Sequence, residues 1–201
     1  MPNLVYKLDE EYTYADYLSW EVKDRYEIIN GVAYAMASPT VLHQEISREL
    51  MSFIGGFLNG KPCRVIAAPF DVRLFPEEDS SDTTVVQPDI LVVCDSEKLS
   101  DGKACKGAPD LVIEILSRSS AIIDRNVKFE KYRQAGVKEY WIVNAGIVDP
   151  ENAIEVMVNV LTNGQYISTV YRDKVPSSVL PGLVIDLSAV MANVQTMKNL
   201  Q

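Results

Sequence analysis

Two carboxylates stand where carboxylates are costly. Asp89 follows Pro88 inside the apolar run 85–94, and Glu114 interrupts Leu111-Val-Ile-Glu-Ile-Leu116. A buried carboxylate destabilises a fold unless it is paired or holds a metal. If the two runs are neighbouring strands, side chains opposite one another lie about 5 Å apart. That spacing suits two oxygen ligands of one hard cation such as Mg²⁺, with Mn²⁺ as a substitute; such an ion takes few protein carboxylates and keeps several waters. Taken singly, each acid is also explained by a salt bridge or a loop cap. The pair favours a site. Asp110 is a rival, on the same strand face as Glu114. Four residues at about 3.3 Å each put it roughly 13 Å away, too far to share one ion, so it reads as a strand-entry residue.

The next segment supplies a cation. The spacing predicts a helix over 121–135, with Gly136 as its stop. Asp124, Lys128 and Tyr132 recur at i, i+4 and i+8 along one face. A lysine aimed at a carboxylate-bound metal can orient or deprotonate an attacking water and offset the charge of a pentavalent phosphate. Lys131, beside it on the helix, is the alternative. The competing reading is an exposed Asp124–Lys128 helix pair of little energetic weight.

These residues need a frame. Thr13 can cap a short helix at 14–18. Asn30-Gly31 predicts a hairpin joining 26–29 to 32–36, with Glu27 on its first strand. Thr40 can cap a helix over 41–58, whose apolar residues recur at helical spacing and whose first turn carries His43. Strands are expected over 64–75, with a bend at Pro69, then over 85–94, 111–116 and 139–144. The 111–116 strand, the helix and the 139–144 strand should form a right-handed crossover between parallel strands. Asn163-Gly164 predicts a further hairpin, and a final short helix follows residue 184. The expectation is one domain over 1–201, of mixed α/β class, with residues 1–12 as a loosely held arm.

Bulk properties narrow the class. Hydrophobic residues make up 47% and charged residues 23% of the chain, ordinary usage for a soluble globular protein. No apolar run approaches a membrane span and no signal core opens the chain. Cys63, Cys94 and Cys105 are scattered, and His43 is the single histidine. A structural zinc site is therefore disfavoured and a reducing cytoplasm expected. The net charge of −9 argues against coating nucleic acid by charge alone. Arg118, Arg125, Lys128, Lys131, Arg133 and Lys138 nevertheless cluster in sequence, as a phosphate-binding surface or a solvated helix face.

Further motifs complete a resemblance. Tyr26-Glu27-Ile-Ile-Asn-Gly31, Ser38-Pro39-x-x-x-His43 and Gln87-Pro88-Asp89-Ile come first. Gly107-Ala-Pro-Asp-Leu-Val-Ile-Glu114-Ile-Leu-Ser117, Asp124-x-x-x-Lys128-x-x-x-Tyr132 and Gly136-Val-x-Glu-Tyr-Trp-Ile-Val143 follow in order. From about residue 26 to 187 the chain resembles the Uma-type family of restriction-endonuclease-like proteins, within the PD-(D/E)XK nuclease superfamily. The resemblance implies a restriction-endonuclease-like core: a central mixed four-stranded sheet flanked by helices, with additional β-hairpins. It implies Asp89 and Glu114 as metal-binding acids and the Ile115 carbonyl as a further ligand. The superfamily's lysine usually stands two residues after the second acid, where this chain has Leu116; the family pattern moves it to Lys128. Glu27 would be an accessory acid near the metal, and His43 either a phosphate contact or a cap. Arg118 stands where a proline is common, and Asn144 where an aspartate usually closes the strand.

The expected function is a Mg²⁺-dependent endonuclease acting on DNA, with RNA as the other candidate polymer; the superfamily resemblance implies a 5′-phosphate and a 3′-hydroxyl as products. A homodimer is expected because cutting both strands of a duplex needs two sites. The alternative is a nuclease-like scaffold that binds nucleic acid or a protein partner without cutting. Fold analogy alone does not choose between them.

Overall fold

The computed structural model describes residues 11–21, 24–118, 120–144 and 154–198. Its local elements follow from local chemistry. A capping box between Thr13 and Asp16 opens α1 (Tyr14–Ser19), and the Thr40 hydroxyl accepts from the His43 N–H to open α2 (Val41–Leu58). β1 (Tyr26–Ile29) and β2 (Val32–Ala35) form the first hairpin. Asn30 and Gly31 turn it with φ of 52° and 73°, the left-handed pair that a two-residue hairpin turn favours.

The run 64–75 is two strands rather than one. β3 (Arg64–Ala67) and β4 (Asp71–Arg73) are separated by a cis Ala68–Pro69 peptide and lie in different sheets. The run 85–94 divides in the same way, into β5 (Val85–Val86) and β6 (Ile90–Val93), with Gln87-Pro88-Asp89 between them. Proline gives a strand no N–H to pair, and here it falls where the chain changes sheets. Residues 95–109 hold a 3₁₀ turn (Ser96–Leu99) and β7 (Ala104–Lys106).

β8 (Leu111–Ile115) leads through a helix to β9 (Glu139–Asn144), and the two strands pair in parallel. That helix is π-helical over Ile123–Lys128 and continues as α3 (Phe129–Ala135), stopped by Gly136 at φ 88°. β10 (Glu155–Thr162) and β11 (Gln165–Tyr171) make the second hairpin. β12 (Lys174–Pro176), β13 (Val184–Asp186) and α4 (Leu187–Lys198) complete the described chain.

The main sheet has the order β11-β10-β9-β8-β6-β3. Its inner part, β9-β8-β6-β3, is the expected four-stranded mixed core, extended by the second hairpin. One face packs under α2 and α4, burying Ile46, Leu50, Ile90, Ile113 and Val190. The other face meets the helix after β8 and a five-stranded sheet, β2-β1-β5-β4-β7, burying Leu91, Val112, Tyr132 and Tyr140. Because β6 and β8 are covered on both faces, they read as nearly continuous apolar runs.

Two further expectations change. Tyr12, expected at the end of a loosely held arm, is buried and its N–H donates to the Gly31 carbonyl; residues 1–10 lie outside the described residues. The cysteines are not scattered in space. The β3–β6 register pairs Arg64 with Val93, so Cys63 falls opposite Cys94, and the two form a disulfide across 31 residues of sequence. Cysteine usage therefore no longer argues for a reducing compartment. Cys105 is free and buried.

Candidate active site

The β6–β8 register decides the first question. Ile90 pairs with Ile113 and Leu91 with Val112; one step further, Asp89 stands opposite Glu114. Both project to the face that carries Val112 and Leu91, toward the helix after β8. Asp89 is therefore at the entry of β6, where the chain arrives from the other sheet, and not in mid-strand.

The helix supplies the rest. In a regular α-helix, residues four apart drift by about 40° per step. The π-helical stretch has a longer turn and offsets that drift, so Asp124, Lys128 and Tyr132 all stay on the inner face. They are 2%, 3% and 0% exposed. The Tyr140 hydroxyl, from β9, donates to the Asp124 carbonyl and anchors this turn. The Asp124–Lys128 pair is thus buried, not the exposed surface pair that spacing alone allowed.

Lys128 Nζ lies 2.8 Å from Glu27 Oε1, 3.0 Å from Glu114 Oε1 and 3.5 Å from Asp124 Oδ1. Glu27 arrives from β1 in the other sheet, and its Oε1 also accepts the Gln87 N–H at 2.8 Å. Glu114 Oε1 accepts a second bond from the Tyr132 hydroxyl at 2.7 Å. Asp89 Oδ2 takes the Ile115 N–H at 2.7 Å and lies 3.1 Å from His43 Nε2. His43 sits in the first turn of α2 and orients Asp89.

Burial alone would depress the Lys128 ammonium, but Glu114, Glu27 and Asp124 together outweigh it and raise its pKa. Lys128 is therefore held in its protonated form, in which it can orient and stabilise. Burial pushes the Glu114 carboxyl well above the ordinary range; Lys128 opposes this, while Asp124, Asp89 and Glu27 add to it. Burial also raises Asp124. Burial would lower His43, yet the bond to Asp89 and its charge prevail and raise it. Glu114, Glu27 and Asp124 surround one lysine and Asp89 stands opposite Glu114, so the cluster carries surplus negative charge.

Does this set fit a divalent cation? Among the described residues, no three His, Cys, Asp or Glu side chains already form a metal cage. Each of the two opposed acids spends only one oxygen on the hydrogen bonds above. Asp89 Oδ1 and Glu114 Oε2 accept none from the described residues. Two open carboxylate oxygens and surplus negative charge fit a hard ion that keeps most of its waters. Both acids line a cleft of about 900 Å³, whose walls include Arg25, Tyr34, Ser38 and Arg118. His43 Nδ1 and Gln87 Oε1 are buried in this wall without hydrogen-bond partners among the described residues, as a site awaiting a polar ligand would leave them.

Other candidates fall elsewhere. Lys131 is outside the cleft, near Gln134 and the Phe75 ring. Asp110 binds the Cys94 N–H and Lys138, an entry residue as expected. The basic cluster is largely spent, since Arg133 pairs with Glu130 and Lys138 with Asp110; Arg118 and Arg125 remain exposed. Sequence reasoning missed Gln87, which fixes Glu27 through its main chain and reaches Asp71 and Tyr17 with its side chain. Its one signal was its place before Pro88-Asp89.

The mixed sheet, with its crossover helix between β8 and β9, is a nuclease-like fold. A solved structure supports that class: "a putative nuclease belonging to DUF820" from Anabaena variabilis superposes with a TM-score of 0.70, covering 91% of this chain and 99% of that one at 19% identity. The model of the Uma2 family, described as "Putative restriction endonuclease", matches residues 14–189, and the chain belongs to that family. Two uncharacterized proteins of Synechocystis are similar. One is 28% identical over 139 residues, covering 67% of this chain and 69% of the relative. The other is 26% identical over 136 residues, covering 66% and 74%. No helix among the described residues is long and apolar enough to cross a membrane.

Proposed function

We propose that this protein is a divalent-metal-dependent endonuclease that hydrolyses phosphodiester bonds in DNA, with Mg²⁺ as its ion and Mn²⁺ as a working substitute. The observation that carries this reading is the pairing of Asp89 with Glu114 across β6 and β8, each with one open oxygen, beside a protonated lysine in a cleft. Asp89, Glu114 and the Ile115 carbonyl would hold the ion. A bound divalent ion supplies an activated water and charge stabilisation at the phosphate.

The chain's own groups do the remainder. His43 and the Ile115 N–H fix Asp89 Oδ2 and so aim Oδ1. Tyr132 fixes Glu114 in the same way through Oε1. The Lys128 ammonium offsets charge that develops on the phosphate and orients the attacking water. Arg25 and Arg118 on the cleft wall offer contacts to flanking phosphates, which position a backbone without reading sequence. A homodimer would present two such sites to the two strands of a duplex.

The test is cleavage of supercoiled plasmid DNA, with RNA run in parallel, by wild type and by Asp89→Ala. Metal-dependent cleavage that disappears in the variant is the expected result. Undiminished cleavage by a folded Asp89→Ala protein would sink the assignment, and RNA cleavage alone would change the substrate.

A further inference from the structure

We infer that Lys128 is the site's resident cation: its ammonium competes with a divalent ion for Glu114, and Glu27 and Asp124 are positioning residues for that ammonium and not metal ligands. This rests on the functional reading above and divides the four carboxylates into two pairs with different tasks.

The geometry makes the division. An ammonium has three N–H donors, and here three carboxylates from three separate elements stand around it at 2.8, 3.0 and 3.5 Å. Asp89 is absent from that set. It is held instead by His43 and the Ile115 main chain on the cleft side. Its side chain is 19% exposed, against 7% for Glu27, 5% for Glu114 and 2% for Asp124. Asp89 is thus the most exposed of the four acids in the cleft, while Glu27 and Asp124, which also line it, stand against the lysine. Glu114 is common to both groups. It shares Oε1 with Lys128 and Tyr132 and keeps Oε2 open.

The two cations are therefore coupled through one carboxylate. A divalent ion on Glu114 Oε2 draws charge from the oxygen that holds Lys128 and repels the ammonium. Glu27 and Asp124 keep the lysine in the site when that happens. Without them the ammonium would collapse onto Glu114 or leave for solvent. Without the lysine, three of the carboxylates would lose the ammonium they share, and the site's hold on a divalent ion would strengthen.

Mn²⁺ binding measured by titration calorimetry on the whole chain, without nucleic acid, tests this. Lys128→Met should bind Mn²⁺ about tenfold tighter than wild type or more, since a like charge has been removed from a low-dielectric site. Glu27→Gln and Asp124→Asn should weaken binding by less than about tenfold, whereas Asp89→Asn and Glu114→Gln should weaken it by about a hundredfold. Glu27→Gln should also lose plasmid cleavage at saturating Mn²⁺ while retaining its metal affinity, a split that damage to the fold would not produce. Equal or weaker binding by folded Lys128→Met would overturn the competition. A hundredfold loss in Glu27→Gln would make Glu27 a ligand and overturn the division. If Lys128→Met fails to fold, the Glu27 and Asp124 variants decide alone. Absence of Mn²⁺ binding by wild type at millimolar ion would overturn the functional reading itself, which separates its failure from failure of this inference.

Discussion

Glu114 and Glu139 are both buried carboxylates, on adjacent strands of one sheet, yet they are satisfied in opposite ways. Glu139 is 0% exposed. Its Oε1 accepts the Trp141 indole N–H at 2.6 Å. Its Oε2 accepts from the Ser177 hydroxyl, the Ser178 N–H and hydroxyl, and the Val179 N–H, all within 3.0 Å. Among the described residues no cation is involved; neutral donors saturate the charge and tie β9 to the segment before β13. Glu114 has two donors on one oxygen, none on the other, and three further carboxylates nearby. Burial alone therefore does not mark a functional acid. Incomplete satisfaction within a surplus of like charge does.

That contrast can be broken most sharply by activity. Asp89→Asn and Glu114→Gln should each lower plasmid cleavage by about three orders of magnitude, measured as initial nicking rate, with the thermal midpoint unchanged or raised because a costly charge is gone. If Glu139→Gln lost activity per folded molecule to the same degree, the contrast would fail. Its expected defect is of another kind. Truncation to Ala leaves several buried donors unpaired and should cost about 3 kcal/mol of stability by urea unfolding, with nicking per folded molecule unaltered.

A third measurement uses pH. The Glu114 carboxyl is held above the ordinary range by burial, so the metal-free site keeps its proton to a higher pH than a free glutamate would. Ion binding needs the carboxylate, so it must release that proton. Mn²⁺ affinity should rise as pH rises toward neutrality, and calorimetry in buffers of different ionisation enthalpy should report proton release. A pH-independent affinity would show that Glu114 is already ionised. In the same ion-free protein, Glu114 favours the folded state at low pH and gives up that contribution as pH climbs through its raised pKa. The smallest effect is expected at Lys131. Replacing it with alanine should change nicking by less than about twofold, since exposed side chains away from such features contribute little.

Much of this site was legible before any fold was known. Asp89 and Glu114 were visible because each is the one charged residue in an apolar strand run, and Lys128 because it shares a helix face with Asp124 and Tyr132. How closely Lys128 keeps to that inner face was not visible from helical spacing alone. It depends on the π-helical turn, whose bonding differs from an α-helix by one residue and leaves no compositional trace in Ile123–Lys128. Glu27 was flagged only by resemblance, since its position on a hairpin says nothing about which sheet packs over the site. The break at Pro69 was read as a bend and 85–94 as one strand, because β-forming residues on both sides look alike whichever sheet receives them.

The sequence by itself determined the local grammar: the two Asn-Gly turns, the Thr13 and Thr40 caps, the Gly136 stop, and the acids and lysine that the chain would have to reconcile. These depend on residues within a few positions of one another, where sterics and capping act directly. Only the tertiary structure decided that Asp89 faces Glu114, that Glu27 crosses from the second sheet to reach Lys128, and that Cys63 meets Cys94. Each joins residues tens of positions apart, through strand register and sheet packing. Register is fixed by the burial of whole strand faces and not by the residues that meet there, so those residues carry no mark of their partners.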